Sequence, residues 1–253
     1  MIAILSSAKT LDFESGWKAP ETTQPEGLTH ARTLLTQLKP LSAGRLGKLL
    51  GVSPKLAALN AERLASMHFP FTRHNAKPAL LAYQGDVFRS MGSAEFTADD
   101  LSFAHGSLRI VSGLFGLLRP LDLIQPYRLE MAAKLSGPTW KDLYDFWSDR
   151  VTAAIDRDAA AQRSTVLNLA SQEYASVVNP KRLKAKLLTI QFKQKRNGKI
   201  QTVPILAKRA RGLMARYLVK NRIHNPDALK PFGDEGYKFF PDLSVENEWV
   251  FVR

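Results

Sequence analysis

Between Ser112 and Met131 the chain reads SGLFGLLRPLDLIQPYRLEM, a stretch that no single helix or strand accommodates. Gly113 and Gly116 permit close backbone approach. Pro120 and Pro126 each lack an amide hydrogen and push the residue before them toward extended conformations. The surroundings are Leu, Ile and Pro, yet Arg119, Asp122, Tyr127, Arg128 and Glu130 are set among them. A charge in apolar surroundings must be paired, hydrogen-bonded or offered to a ligand, because an isolated buried charge costs several kcal/mol or more. The stretch therefore predicts a structured loop crossing a cleft. Its charges either line a site or lock the loop through pairs such as Arg119 with Asp122 and Arg128 with Glu130.

The segments on either side alternate between strand and helix signals. Met1 to Leu5 is a strand-type apolar run, and it leads into a small polar turn that places Lys9 and Asp12 just past a strand end. That turn holds too little glycine for a phosphate loop. Leu28, Ala31, Leu34, Leu35 and Leu38 have helical spacing, ended by Pro40. A second helix is expected from about 42 to 50, and a third from Pro54 to about Met67 with Ser53 as its cap. Ala79 to Tyr83 reads as a strand, followed by Asp86 as cap of the next helix, and Thr97 caps another. Leu108 to Val111 reads as a strand feeding the central stretch. Lys141 to Ile155 is an amphipathic helix, and Val166 to Ala170 is a buried strand with Ser171, Glu173 and Tyr174 at its end. Asn197-Gly198 marks a type I′ hairpin between 187–195 and 199–207, and a basic helix is expected over 208–223. Segments 236–240 and 248–252 read as a closing pair of strands. The pattern predicts an α+β (mixed α/β) fold, one domain spanning 1–253 with both termini tied into a sheet.

Composition narrows the chemistry. The 253 residues include no cysteine, which removes disulfides, thiolate metal sites and cysteine nucleophiles. Five histidines, at 30, 68, 74, 105 and 224, include no i, i+4 pair, so no metal site is expected and no motif calls for a cofactor. Oxygen ligands for iron are present, but no cluster recommends them. No run approaches the roughly 20 apolar residues of a membrane helix, and the start lacks the features of a signal peptide, so a cytoplasmic protein without membrane contact is expected. The net charge is +13, and it is local: residues 179–222 hold fourteen Lys and Arg and no Asp or Glu. A basic block of this kind attracts polyanions, nucleic acid foremost, although a solvated basic surface has the same composition.

Within 42–67, Leu46, Leu49, Gly51, Val52, Ser53 and Ala57 follow a pattern that resembles the helix-hairpin-helix of DNA-binding proteins without sequence specificity, with Ser53 in place of the second hairpin glycine. Free N–H groups and the positive dipole end at the start of its second helix are suited to gripping a phosphate, with Lys55 adding charge. More widely, SSAKTLD at 6–12, the central stretch at 113–131, KDLYDFW at 141–147, NLAS-x-EY at 168–174 and KRARGLMARY at 208–217 resemble the YaaA family of bacterial peroxide-stress-resistance proteins. Gln172 stands where an acidic residue or Asn is expected. The resemblance implies a single mixed α/β domain of unusual topology that contains a helix-hairpin-helix. It also implies DNA binding through that motif and a positively charged cleft, and a role in limiting iron-dependent oxidative damage to DNA.

Two functions follow. In the first, the chain grips the phosphate backbone of duplex DNA with Gly51, Val52, Ser53 and Lys55 and with Lys208, Arg209, Arg211 and Arg216 of the basic helix, while Arg119, Arg128 and Glu130 line the cleft between them. In the second, it is an enzyme acting on a nucleic-acid component or related small anionic ligand. Lys9, Asp122, Tyr127 and Glu173 are then the candidate catalytic groups.

Overall fold

The first strand, β1 (Ile2–Ser6), is buried from Ile2 through Leu5, which puts it inside a sheet covered on both faces. The structure is a computed structural model and describes residues 1–162 and 165–253. After β1 come α1 (Leu28–Leu38), α2 (Ala43–Leu50), α3 (Pro54–Ser66), β2 (Lys77–Pro78), α4 (Ala79–Ala82), α5 (Asp86–Met91) and α6 (Ala98–Ser107). The middle of the chain forms β3 (Leu108–Ser112), β4 (Gly116–Leu118), β5 (Leu123–Ile124), α7 (Leu143–Ala161), β6 (Val166–Asn168) and α8 (Gln172–Ala175). The last part forms β7 (Leu187–Arg196), β8 (Lys199–Gln201), α9 (Pro204–Lys220), β9 (Lys238–Phe239) and β10 (Glu248–Val252).

The main sheet has the order β4-β3-β1-β6-β7-β10-β9, with β8 paired to β7. Strands β3, β1, β6, β7 and β10 are mutually parallel, and β4, β8 and β9 run antiparallel to their neighbours. The chain is thus a mixed α/β domain, with its first and last strands in one sheet. From β1 the chain crosses to β3 on one side, returns to β6 on the other, and then steps outward to β7 and β10. Strand order reverses at β1, so the loops leaving β1 and β6 diverge at their carboxyl ends and open a crevice there. Helix α6 packs on β1 and β3, and α7 on β1 and β4.

Local signals explain most element boundaries. Ser42 caps α2 through the Arg45 amide and Ser53 caps α3 through the Leu56 amide, while Gly51 takes the left-handed conformation at φ 61° that ends α2. Thr97 and Asp100 form a reciprocal capping box at the start of α6. Asn197 and Gly198 both have positive φ, as a type I′ turn requires. Three expectations are corrected. Ala79–Ala82 is a helical turn, not a strand, because the neighbouring Lys77–Pro78 already pairs with β5 and the chain must then turn back under the central stretch. Asp86 is the first residue of α5 and pairs with Arg89, so the cap position falls to Gly85. The second hairpin strand ends at Gln201, since Pro204 starts α9 four residues earlier than the basic run at Lys208 suggests.

One histidine couples the fold to pH. His105 is half-buried on α6, and its Nδ1 accepts the Leu121 N–H at 3.2 Å, so the ring is neutral with its proton on Nε2. Burial, with Arg119 and Arg109 nearby, lowers its pKa to about 4. The unfolded chain takes up this proton near the ordinary value of about 6.5, so the stabilisation from neutral His105 is complete above that pH. It is lost as pH falls toward 4. The His105→Gln variant is expected to show a flatter loss of stability between pH 6.5 and 4 than the parent, measured by urea unfolding.

Candidate functional site

The central stretch carries the short strands β4 and β5 and is otherwise a loop tied together from within. Ser112 Oγ accepts the Leu114 and Phe115 amides and lies 2.6 Å from the Tyr127 hydroxyl, which is 2.5 Å from the Tyr83 hydroxyl. Burial raises the pKa of both tyrosines, so at neutral pH they are hydroxyl groups that donate and accept along this chain. The Ser7 hydroxyl, in the loop after β1, faces Tyr127 and also Tyr174. Trp147 Nε1 donates to the Gly113 carbonyl and holds the loop against α7.

Both ion pairs expected within the stretch form. Arg128 donates to Glu130 Oε1 at 2.8 and 3.0 Å, and Lys9 reaches the same oxygen at 3.3 Å. Glu130 Oε2 is buried without a hydrogen-bond partner. Asp122 is fully buried; it accepts the Thr23 hydroxyl at 2.6 Å and the Arg119 amide at 2.8 Å, with the Arg119 guanidinium at 3.4 Å. Burial raises the Asp122 pKa, and these donors oppose the rise. The two pairs lie apart. Lys9, Tyr127, Arg128 and Glu130 share a recess with Tyr174, whereas Arg119 and Asp122 border a different cavity beside α7, lined also by Phe115 and Trp147.

The loops after β1 and β6 define the crevice at the strand ends, with a volume of about 490 Å³. Lys9 and Ser7 come from the first loop, Glu173 and Tyr174 from α8, which follows β6, Asp86 from α5, and Lys208 and Arg211 from α9. The small recess that holds Tyr127, Arg128 and Glu130 opens beside it and shares Ser7, Lys9 and Tyr174. Glu173 Oε1 accepts the Ala132 amide at 3.2 Å, which joins the end of the central stretch to α8. Of the candidate catalytic groups, Lys9, Tyr127 and Glu173 therefore converge and Asp122 does not. Asp12 has a structural task instead: it accepts the Glu14 and Ser15 amides and pairs with buried Lys77, and the Ser15 backbone bond heads the causes that lower its pKa to about 2. Sequence reasoning does not single out Ser7, Tyr83 or Ser112. Only the position of Ser7, at a strand end beside Lys9, hints at a role.

The family model described as peroxide stress protein YaaA matches residues 1–243. The chain belongs to the YaaA family. Its relatives include a UPF0246 protein of Acaryochloris marina, 47% identical over 253 residues and covering the whole of both chains. Another, a UPF0246 protein of Cellvibrio japonicus, is 42% identical over 254 residues, covering all of this chain and 98% of its own.

In this YaaA-family chain the fourteen cations of the basic segment divide into two groups. Arg182, Lys186, Arg209, Arg216, Lys220 and Arg222 each pair with a carboxylate. Arg216 also donates to the carbonyls of Met91 and Gly92, closing the carboxyl end of α5, and so serves the packing of α9 on α5. Among the described residues the other eight have no carboxylate within 4.0 Å: Lys181 and Lys184, then Lys193, Lys195, Arg196 and Lys199 of the β7–β8 ribbon, and Lys208 and Arg211. Helices α2 and α3 pack together across the turn at Gly51–Ser53, and Gly47 lets α3 approach closely at Ala57. Gly51, Ser53 and Lys55 are exposed and Val52 is half-buried at its turn. Among the described residues no helix is long and apolar enough to cross a membrane, and no three His, Asp or Glu side chains gather as a metal cluster.

Proposed function

We propose that this chain binds duplex DNA through its phosphates without reading sequence, and so limits iron-dependent damage to DNA under peroxide stress. The observation that supports this most is the β7–β8 ribbon, which runs past the last residue of β10 with Lys195, Arg196 and Lys199 exposed and without a carboxylate partner among the described residues. Each phosphate that such a cation neutralises releases condensed counterions. Iron(II) is one of the cations a polyphosphate backbone retains, so displacing it moves the metal that reacts with peroxide away from the DNA. Membership of a family of peroxide stress proteins agrees with this role.

The α2–α3 hairpin supplies a second phosphate grip. In the first turn of α3 Pro54 has no N–H and Ser53 takes the Leu56 amide, so the donor offered to a phosphate is the Lys55 amide; the dipole end is positive, and the Lys55 side chain stands exposed beside it. Lys55→Glu is expected to weaken duplex binding about fivefold to tenfold at fixed salt, because one attraction to a phosphate is replaced by a repulsion. Its unfolding midpoint should stay that of the parent, because Lys55 has no ion pair among the described residues to lose. Unchanged affinity in a filter-binding or anisotropy titration would remove the hairpin from the interface. A second reading, an enzyme acting on a nucleic-acid component, draws on the convergence of Lys9, Tyr127 and Glu173 at the strand ends.

A further inference from the structure

Of the cations of α9, Lys208 and Arg211 lack a carboxylate partner among the described residues, and Lys208 is exposed to solvent. Arg211 differs from Lys208 in that its Nε is buried without a hydrogen-bond partner. Burial lowers the pKa of its guanidinium, a sign that the surroundings oppose the charge. A desolvated, unpaired guanidinium disfavours folding. It faces the crevice at the ends of β1 and β6, whose rim also carries Lys9 and Lys208. A planar fork of N–H donors flanked by two ammonium groups suits the oxygens of a phosphate better than a single carboxylate.

The crevice holds more than a phosphate. Its volume of about 490 Å³ lies in the range of small-molecule sites. Ala8, Val87, Phe88 and Leu169 give it an apolar wall, and Glu173, with one oxygen fixed by the Ala132 amide, provides an acceptor for a hydroxyl. We propose that the crevice binds a phosphomonoester of mononucleotide size, its phosphate on Arg211, Lys208 and Lys9 and its remainder against the apolar wall and Glu173. A duplex is too wide to enter, so this site is separate from the phosphate contacts of the ribbon. Terminal phosphate of this kind is offered both by a free nucleotide and by the 5′ end of a DNA strand.

Calorimetry with adenosine 5′-monophosphate tests the site directly. The expected result is saturable binding of one molecule per chain, displaced by inorganic phosphate and not matched by adenosine. Arg211→Met should weaken it at least tenfold while leaving the unfolding midpoint unchanged or raised, and the exposed Lys208→Glu should also weaken it. No binding at millimolar nucleotide, equal binding of adenosine, or parental affinity in both variants would overturn the proposal. Competition by a 5′-phosphorylated single-stranded oligonucleotide, but not by its unphosphorylated twin, assigns the site to strand ends. Competition by neither assigns it to the free nucleotide. Loss of duplex binding in other experiments has no bearing on these outcomes.

Discussion

Gly212→Ala should destabilise the protein by about 3 kcal/mol or more, a large fraction of the total for a domain of ordinary stability. A Cβ at residue 212 would lie 2.0 Å from the Val87 carbonyl oxygen and 2.1 Å from Ser90 Oγ, so α9 and α5 could not keep their present approach. The Ser90 hydroxyl bridges the same seam by donating to the Arg209 carbonyl. Both helices contribute to the crevice, α5 through Asp86 and α9 through Lys208 and Arg211. Parting them should therefore also impair ligand binding. A urea unfolding midpoint equal to that of the parent would mean that α5 and α9 do not pack as described.

The second large effect is expected in the ribbon. Reversing Lys193, Lys195, Arg196 and Lys199 together to Glu should lower affinity for duplex DNA by on the order of 100-fold at 0.1 M salt, and reduce the slope of log affinity against log salt by about 0.9 for each phosphate no longer neutralised. Stability should change little, because none of the four has a carboxylate partner among the described residues. Reversal of the already neutralised Arg209 and Arg216 is a useful contrast. There the damage should appear in unfolding, through Glu235, Glu95 and the end of α5, more than in the salt slope.

How much of the fold is legible in the sequence depends on the range of the interaction. Helix boundaries at Ser42, Gly51, Ser53-Pro54 and Thr97 and the turn at Asn197-Gly198 rest on residues that satisfy or bend the backbone next to them, and the structure has each in place. Ala79-Leu80-Leu81-Ala82 reads wrongly as a strand because four apolar residues have no periodicity to separate a strand from a helical turn. The central stretch is legible as a charged loop, together with its two internal pairs. Its division between two cavities is not, since that depends on which strands the sheet places beside β1. Nor can composition show that Arg209 and Arg216 are neutralised from distant segments while Arg211 and the ribbon are left unpaired among the described residues.

Duplex binding by the unaltered protein, measured by fluorescence anisotropy across a series of salt concentrations, tests the central claim most directly. If the four ribbon cations and Lys55 each neutralise a phosphate, log affinity should fall with log salt with a slope of about −4 or steeper, and to a similar degree for unrelated sequences. A slope near zero, or no binding at low salt, would contradict DNA binding through these phosphates.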